Sequence, residues 1–346
     1  MESRNTKVSE LGEFGLIERL TKDIKIYNSS TLKGVGDDAA VIRCGGKTIL
    51  LSTDMLTEGV HFNLMYVPLK HLGYKSVIVN LSDICAMNAR PRQITVNLGL
   101  SNKFSVEALE ELYSGIYQAC ENYGVDLVGG DTTSSLTGLT ISVSVVGEAD
   151  EEDIVYRSGA RPGDLLCVSG DLGGAYMGLQ LLERENEVFK VNNHMQPQLE
   201  GYDYILARQL RPEARADVVN TFEKLEIRPT SMIDISDGLS SEILHLCRNS
   251  ETGCLLREEM VPIDNQTRQM AAELNINPLV AALNGGEDYE LLFTLSPGDA
   301  EKIKNDPDFT IIGEMTEASE GANLVTTGGS KIQLQAQGWN HGRITG

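Results

Sequence analysis

Aspartates recur in this sequence at the ends and edges of apolar runs. Asp37 and Asp38 stand side by side in GVGDDAAVI, residues 34–42, and Asp54 closes TILLSTD behind the hydroxyls of Ser52 and Thr53. Asp83 comes one turn after Asn80 in SVIVNLSDICAM, Asp131 follows DLVGG, which reads as a buried strand meeting two glycines, and Asp234 and Asp237 bracket Ser236 in MIDISDGLSSEILHL. Each has an ordinary reading when taken alone. Asp237 fits a helix cap, Asp131 a turn, Asp83 a solvent-facing charge or an ion pair with Lys75 or Arg90, and Asp37 with Asp38 the close of a loop. Together they are harder to dismiss, because a charge held near a core is costly unless it is paired. The neighbouring sequence carries too few lysines and arginines to neutralise them all. Oxygen donors of this kind suit Mg²⁺, which favours carboxylates, water and phosphate. If the aspartates converge they bind several Mg²⁺ ions, and those ions hold phosphates. The adjacent pair Asp37-Asp38 would then be metal ligands, with the flanking glycines allowing a close approach. Histidine and cysteine spacing gives no zinc pattern.

Two phosphate-binding look-alikes fail on inspection. GGKT at 45–48 ends like a P-loop, but the pattern needs a glycine where Val41 stands, and KTILLST reads as a strand instead of a helix. Gly34-Val35-Gly36-Asp37-Asp38-Ala39 has the G-x-G-x-x-A spacing of a dinucleotide site. Two carboxylates in that turn would repel a bare pyrophosphate, and a strand follows where the motif needs a helix.

The elements that must position these residues alternate between strands and helices, which predicts an α/β (α+β) fold with mixed sheets and flanking helices. AAVIRCGGKTILLST reads as two strands joined by a Gly45-Gly46 hairpin turn. Residues 70–88 read as a helix that ends before Pro91. FSVEALEELYSGIYQACENYG is an amphipathic helix, with Leu109, Leu112, Ile116 and Ala119 on one face and Gly124 suited to the C-cap. GLTISVSVVGEAD is a strand running into an acidic turn, Asp150 to Asp153. The chain then restarts through RSGARPGD, a buried strand, a glycine-rich turn and a helix. The boundary falls between them, giving units 1–150 and 151–346. The polar stretch from Glu183 to Gly201 reads as an exposed loop. SVVGEAD near the end of the first half resembles TIIGEMT near the end of the second, a short echo consistent with related halves.

The chain has 346 residues, 41% of them hydrophobic and 23% charged, which is ordinary globular composition with room for two domains. A net charge of −21 argues against nucleic-acid binding, which needs a basic face. Six scattered cysteines without a C-x-x-C pair read as reduced thiols of a cytoplasmic protein. No stretch has the length of a membrane span, and the polar N-terminus lacks an apolar signal core.

In family order, the stretches GEFGLIERL, GVGDDAAVI, STDMLTEGVHF, NLSDICAMNARP, GGDTTSS, RSGARPGD, IDISDGLSSE, GGEDYELLFT and IIGEM span Gly12 to Met315. They resemble the thiamine-monophosphate kinase family of the aminoimidazole ribonucleotide synthetase-like superfamily, STDMLTEGVHF and GGEDYELLFT most specifically. The resemblance implies two synthetase-like domains. The first carries metal and ATP sites and the dimer contact, and the second completes the nucleotide and substrate site. It implies a homodimer and transfer of the ATP γ-phosphoryl group to thiamine monophosphate, the last step of thiamine diphosphate biosynthesis. The metal positions it implies are Asp38, Ser52, Thr53, Asp54, Asp83, Asp131, Asp234 and Asp237. For ATP it implies Gly130, Asp131, Arg157, Ser236 and Tyr123, and for the substrate His61 and Glu287. The family often ends in glycine, an aromatic residue, a variable one and then His-Phe. Here Gly338-Trp339-Asn340-His341-Gly342 lacks the phenylalanine, and Trp339 is left to stack on the thiamine rings. No reactive cysteine precedes Cys44 as a selenophosphate synthetase would need, and no C-terminal cysteine is present as a hydrogenase-maturation carbamoyl dehydratase would need.

Overall fold

A computed structural model describes residues 15, 17–192, 194 and 196–336. Its first sheet uses six strands: β1 (Thr31–Lys33), β2 (Ala40–Cys44), β3 (Lys47–Thr57), β4 (Arg90–Leu100), β5 (Asp126–Ser134) and β6 (Leu139–Ala149). They lie in the order β1-β2-β3-β6-β4-β5, antiparallel except for β4 beside β5. The β2–β3 hairpin turns at Gly45, whose φ of 64° is the left-handed conformation glycine adopts without strain. Asp54 is not at the end of its strand, as the sequence suggests, because pairing with β6 continues to Thr57.

Helix α1 (Leu69–Ala86) lies between this sheet and α2 (Val106–Tyr123). It is buried on nearly every face because both sides are covered. The two helices meet backbone to backbone. A Cβ on Gly73 would lie 2.0 Å from the Leu112 carbonyl oxygen, and one on Gly115 would lie 1.8 Å from that of Lys70. Helix α2 starts with the Ser105 side chain accepting from the Ala108 N–H, and it stops, as its sequence predicts, at Gly124 in the left-handed region.

The second sheet has seven strands: β7 (Leu165–Ser169), β8 (Ser231–Asp234), β9 (Thr252–Arg257), β10 (Leu291–Leu295), β11 (Phe309–Glu317), β12 (Ala322–Val325) and β13 (Lys331–Gln333). Their order is β13-β12-β9-β11-β7-β10-β8, with only β12 and β9 parallel. The echoed SVVGEAD and TIIGEMT fall on β6 and β11, each an interior strand of its own sheet. Helices α3 (Gly174–Val191), α4 (Asp203–Leu210), α5 (Ala216–Leu225), α6 (Leu239–Ser250), α7 (Asn265–Glu273), α8 (Pro278–Asn284) and α9 (Pro297–Ile303) accompany this sheet.

Helix α3 corrects the loop expected from Glu183. It continues to Val191, because nothing in ERENEVFKV breaks a helix. The buried Glu185 then accepts a hydrogen bond from the Gln198 N–H at 2.8 Å and ties down the segment that follows. Strand β5 is a second correction. It is an exposed edge strand instead of a buried one, with Val128 61% accessible. The two halves share their cores: Ala214 and Val219 pack with the first sheet, and Ala86 and Val155 pack with Phe222 and Phe293 of the second.

Candidate active site

Three chain segments meet where the halves touch: the turn before β2, the face of α1 and the end of β8. They place one carboxylate oxygen each from Asp38, Asp83 and Asp234 within 4.8 Å of one another. The Ser52 hydroxyl donates to Asp83 at 2.6 Å, and the Ser82 hydroxyl donates to Asp234 at 2.6 Å. The Asp54 N–H donates to the Asn80 side-chain carbonyl at 3.0 Å, which joins β3 to α1 beside the cluster. Neither ordinary partner proposed for Asp83 is used there. Lys75 pairs with Glu287, and Arg90 pairs with Glu223.

Burial first, and then neighbouring carboxylates, oppose ionisation in this cluster. Asp83 is pushed well up by burial and by Asp54 and Asp234, and Asp234 is pushed up to about 7 by burial and Asp38. Arg157 offsets part of this charge, donating to both oxygens of Asp38 at 2.6 and 3.1 Å. Crowded carboxylates carrying serine hydroxyls form an all-oxygen donor set, and a divalent cation relieves their repulsion best. The residues fit Mg²⁺. The adjacent pair divides its work, since Asp37 lies outside the cluster. It accepts from the Arg157 N–H at 3.0 Å and sits 3.3 Å from Lys33, so it holds the turn that presents Asp38.

A cavity of about 580 Å³ opens beside the carboxylates. Thr53, Asp54, Asp83, Asp234, Ser236 and Asp237 border it, as do His61 and Glu287. The His61 Nδ1 accepts from the Thr57 N–H at 3.0 Å, which fixes the ring against the end of β3. Asp237 does not supply a side-chain cap to α6. The cap position is Gly238, and Glu242 accepts from the Asp237 N–H at 2.9 Å.

The GGEDYE segment explains itself residue by residue. Glu287 and Tyr289 hold left-handed backbone, φ 59° and 52°, a conformation costly for side-chain-bearing residues and common at functional sites. Their N–H groups donate to Ser236 at 2.7 Å and Ile235 at 2.9 Å, so the strain is locked onto the end of β8. Glu287 is 3.0 Å from the Lys75 ammonium and accepts from Gln209 at 3.0 Å. Asp288 accepts from the N–H groups of Gly173 at 2.7 Å and Ala175 at 3.3 Å, satisfying the glycine-rich start of α3 with an internal carboxyl group. Glu290 binds Arg208, Arg215 and Ser169 beneath it.

Residues 36–149 match the family model described as AIR synthase related protein, N-terminal domain. A thiamine-monophosphate kinase of Aquifex aeolicus (strain VF5) is 37% identical over 336 residues, covering 97% of this chain and 99% of that one. Another, of Buchnera aphidicola subsp. Schizaphis graminum (strain Sg), is 33% identical over 341 residues, covering 96% and 99%. The chain belongs to the thiamine-monophosphate kinase family. It is a kinase with the synthetase-like fold. A solved structure described as AaThiL complexed with AMPPCP and TMP superposes with a TM-score of 0.84 at 34% identity, covering 98% of this chain and all of that one.

Other residues singled out by the family resemblance lie apart from the cavity. Gly130 and Asp131 are on the exposed strand β5. Gly130 has φ 157°, and a Cβ there would come within 1.8 Å of the Val96 carbonyl oxygen, so only glycine fits. Asp131 accepts from the Thr132 N–H at 2.8 Å. The Tyr123 hydroxyl accepts from the Ala214 N–H at 3.0 Å and tethers α2 to the segment before α5. Trp339 lies outside the described residues.

Several residues around this cavity carry little or no signal in the sequence. Ser82 and Asn80 were detectable as polar residues in an otherwise apolar helix, next to a suspected ligand. Lys75 is buried on the same helix. Tyr66, Tyr176, Gln209 and Glu183 border the cavity with no local pattern to mark them.

Proposed function

We propose that this kinase transfers the γ-phosphoryl group of ATP to thiamine monophosphate, giving thiamine diphosphate. The observation that carries this reading is the convergence of Asp38, Asp83 and Asp234 beside a cavity large enough for a small organic phosphate. Their carboxylates, with Asp54 and Asp237, would hold Mg²⁺, and Ser52 and Ser82 would orient two of them. Bound there, Mg²⁺ would screen the repulsion between two anionic phosphates and stabilise the charge that moves to the leaving oxygen. Arg157 and Ser236 face the phosphates, and His61 and Glu287 bound the acceptor. A phosphate monoester is already a competent nucleophile at neutral pH, so no side chain needs to act as general base or carry the phosphoryl group. Transfer is direct and in line.

Two further assignments accompany this reading. The protein is a cytoplasmic homodimer built from units 1–150 and 151–346, and a second copy covers the outer face of the first sheet. Leu51, Met55 and Val128 stand exposed on that face, 42%, 58% and 61% accessible, which supports a partner there. Gly130 and Asp131 serve ATP from this side. Among the described residues no helix is long and apolar enough to cross a membrane.

The deciding experiment supplies MgATP and thiamine monophosphate, with free thiamine as the parallel acceptor. Thiamine diphosphate formed from the monophosphate alone, and lost in Asp54→Asn, supports both the reaction and the carboxylate site. ATP binding without product rejects the acceptor. A phosphorylated protein trapped by rapid quench and found by mass spectrometry rejects direct transfer.

A further inference from the structure

Lys75, Val79 and Asp83 stand at i, i+4 and i+8 on α1, so they follow one face of the helix over about 12 Å. Asp83 marks the carboxylate end of the cavity, Val79 its middle, and Lys75 reaches Glu287 at the far end. The wall near Glu287 is aromatic and acidic, formed by Tyr66, Tyr176 and Glu183. Burial, then the nearby Glu183 and Glu287, push the Tyr66 phenol up to about 12. Burial and Glu183 act on Tyr176 in the same direction.

The two carboxylates at this end differ in one respect. Glu287 is compensated by Lys75 at 3.0 Å and by the Gln209 amide at 3.0 Å. Among the described residues Glu183 accepts only from the neutral Gln180 amide, at 3.2 Å, and no described lysine, arginine or histidine pairs with it. A half-buried carboxylate against two aromatic rings, with no internal cation, presents the surroundings a planar organic cation prefers: ring faces and one negative charge.

We propose that Glu183 is a specificity-determining residue for the acceptor, its carboxylate supplying the counter-charge for the cationic thiazolium ring seated against Tyr66 and Tyr176. The proposal rests on the acceptor assigned above. Helix α3 carries Glu183 from the second half of the chain to a cavity whose metal end is built largely by the first. A neutral heterocycle of the same shape would leave Glu183 buried and uncompensated, so the site rejects it.

The test pairs two acceptors with three proteins. The acceptors are thiamine monophosphate and its neutral thiophene isostere, in which carbon replaces the ring N⁺. The proteins are the wild type, Glu183→Gln and Glu183→Asp. The wild type is expected to prefer the cationic acceptor by roughly 10- to 100-fold in kcat/KM, the range a desolvated charge contact supports. Glu183→Gln is expected to lose most of that preference through a higher KM for thiamine monophosphate, with kcat and the KM for ATP nearly unchanged. Glu183→Asp keeps the preference. An unchanged KM for ATP also shows that Glu183→Gln is folded. If Glu183→Gln discriminates as well as the wild type, this proposal falls and the kinase reading stands. If the wild type phosphorylates neither acceptor, both fall together.

Discussion

Arg157 grips both oxygens of Asp38, with Nη2 2.6 Å from one and Nε 3.1 Å from the other. The same residue donates its backbone N–H to Asp37. One arginine therefore fixes both members of the adjacent pair, and the segment joining the two halves is attached to the carboxylate end of the site. Removing one partner of a buried ion pair strands the other. Arg157→Ala is expected to lower stability by about 3 kcal/mol in metal-free buffer, because the Asp38 side chain is fully buried beside two other carboxylates. Millimolar MgCl₂ is expected to raise the melting temperature of the variant more than that of the wild type. A melting temperature indifferent to Mg²⁺ in both proteins would rule against a cation among these carboxylates.

Ser82 does not line the cavity yet donates to Asp234 from within α1. Partners of metal-ligating carboxylates commonly govern affinity by 10- to 100-fold, so Ser82→Ala is expected to raise the half-saturating Mg²⁺ concentration by about that factor. Ser76→Ala on the same helix is the control, since the Ser76 hydroxyl donates only to the Gly73 carbonyl. Mg²⁺ titrations of initial rate separate the two. Equal effects would mean that Ser82 matters only to helix packing.

Asp288 is buried where it meets the start of α3, and burial raises its pKa to about 7 despite the nearby Arg208 and two backbone N–H donors. An unfolded aspartate titrates near 4. The folded state therefore holds this proton more tightly, and the associated stability is complete below about pH 4 and is lost as pH rises through about 7. Asp288→Asn removes this titration. Chemical denaturation from pH 4 to 8 is expected to show a shallower decline in the variant than in the wild type. Parallel curves would assign the decline to other groups.

Gly73 and Gly115 let α1 and α2 touch through their backbones. An added methyl at either position meets a carbonyl oxygen at 2.0 Å or less, and neither backbone can yield cheaply. Gly115→Ala is expected to cost about 3 kcal/mol, at the upper end for overpacking, and to lower kcat because α1 carries Asp83. Gly46→Ala, which meets nothing within 4 Å, is expected to leave the melting temperature unchanged.

Much of the framework was legible because local signals agreed with tertiary need. Gly45-Gly46 between alternating runs predicted the hairpin, and Gly124 marked the end of α2. The end of α3 was not legible, because charged residues between sparse apolar ones read as a loop until Glu185 is seen buried against the chain that follows. Strand β5 misled for the opposite reason: an apolar run suggested burial, whereas its place at the sheet edge leaves it exposed. Within the site, carboxylates near apolar runs were conspicuous because such charges are expensive. Tyr66, Tyr176 and Glu183 are ordinary residues locally, and only the fold gives them a common cavity.

Helix α1 carries Asp83 at one end of the cavity and, eight residues away, Lys75 holding Glu287 at the other. It is also pressed against α2 with no slack at Gly73 and Gly115. The distance between the ends is thus set by a rigid rod, and neither end moves without the other. A gauge of this kind rewards one molecular length. In the proposed reaction the product exceeds the acceptor by one phosphoryl group, so it cannot satisfy both ends as the acceptor does. A fixed span of this kind would fit the shorter acceptor and the longer product differently.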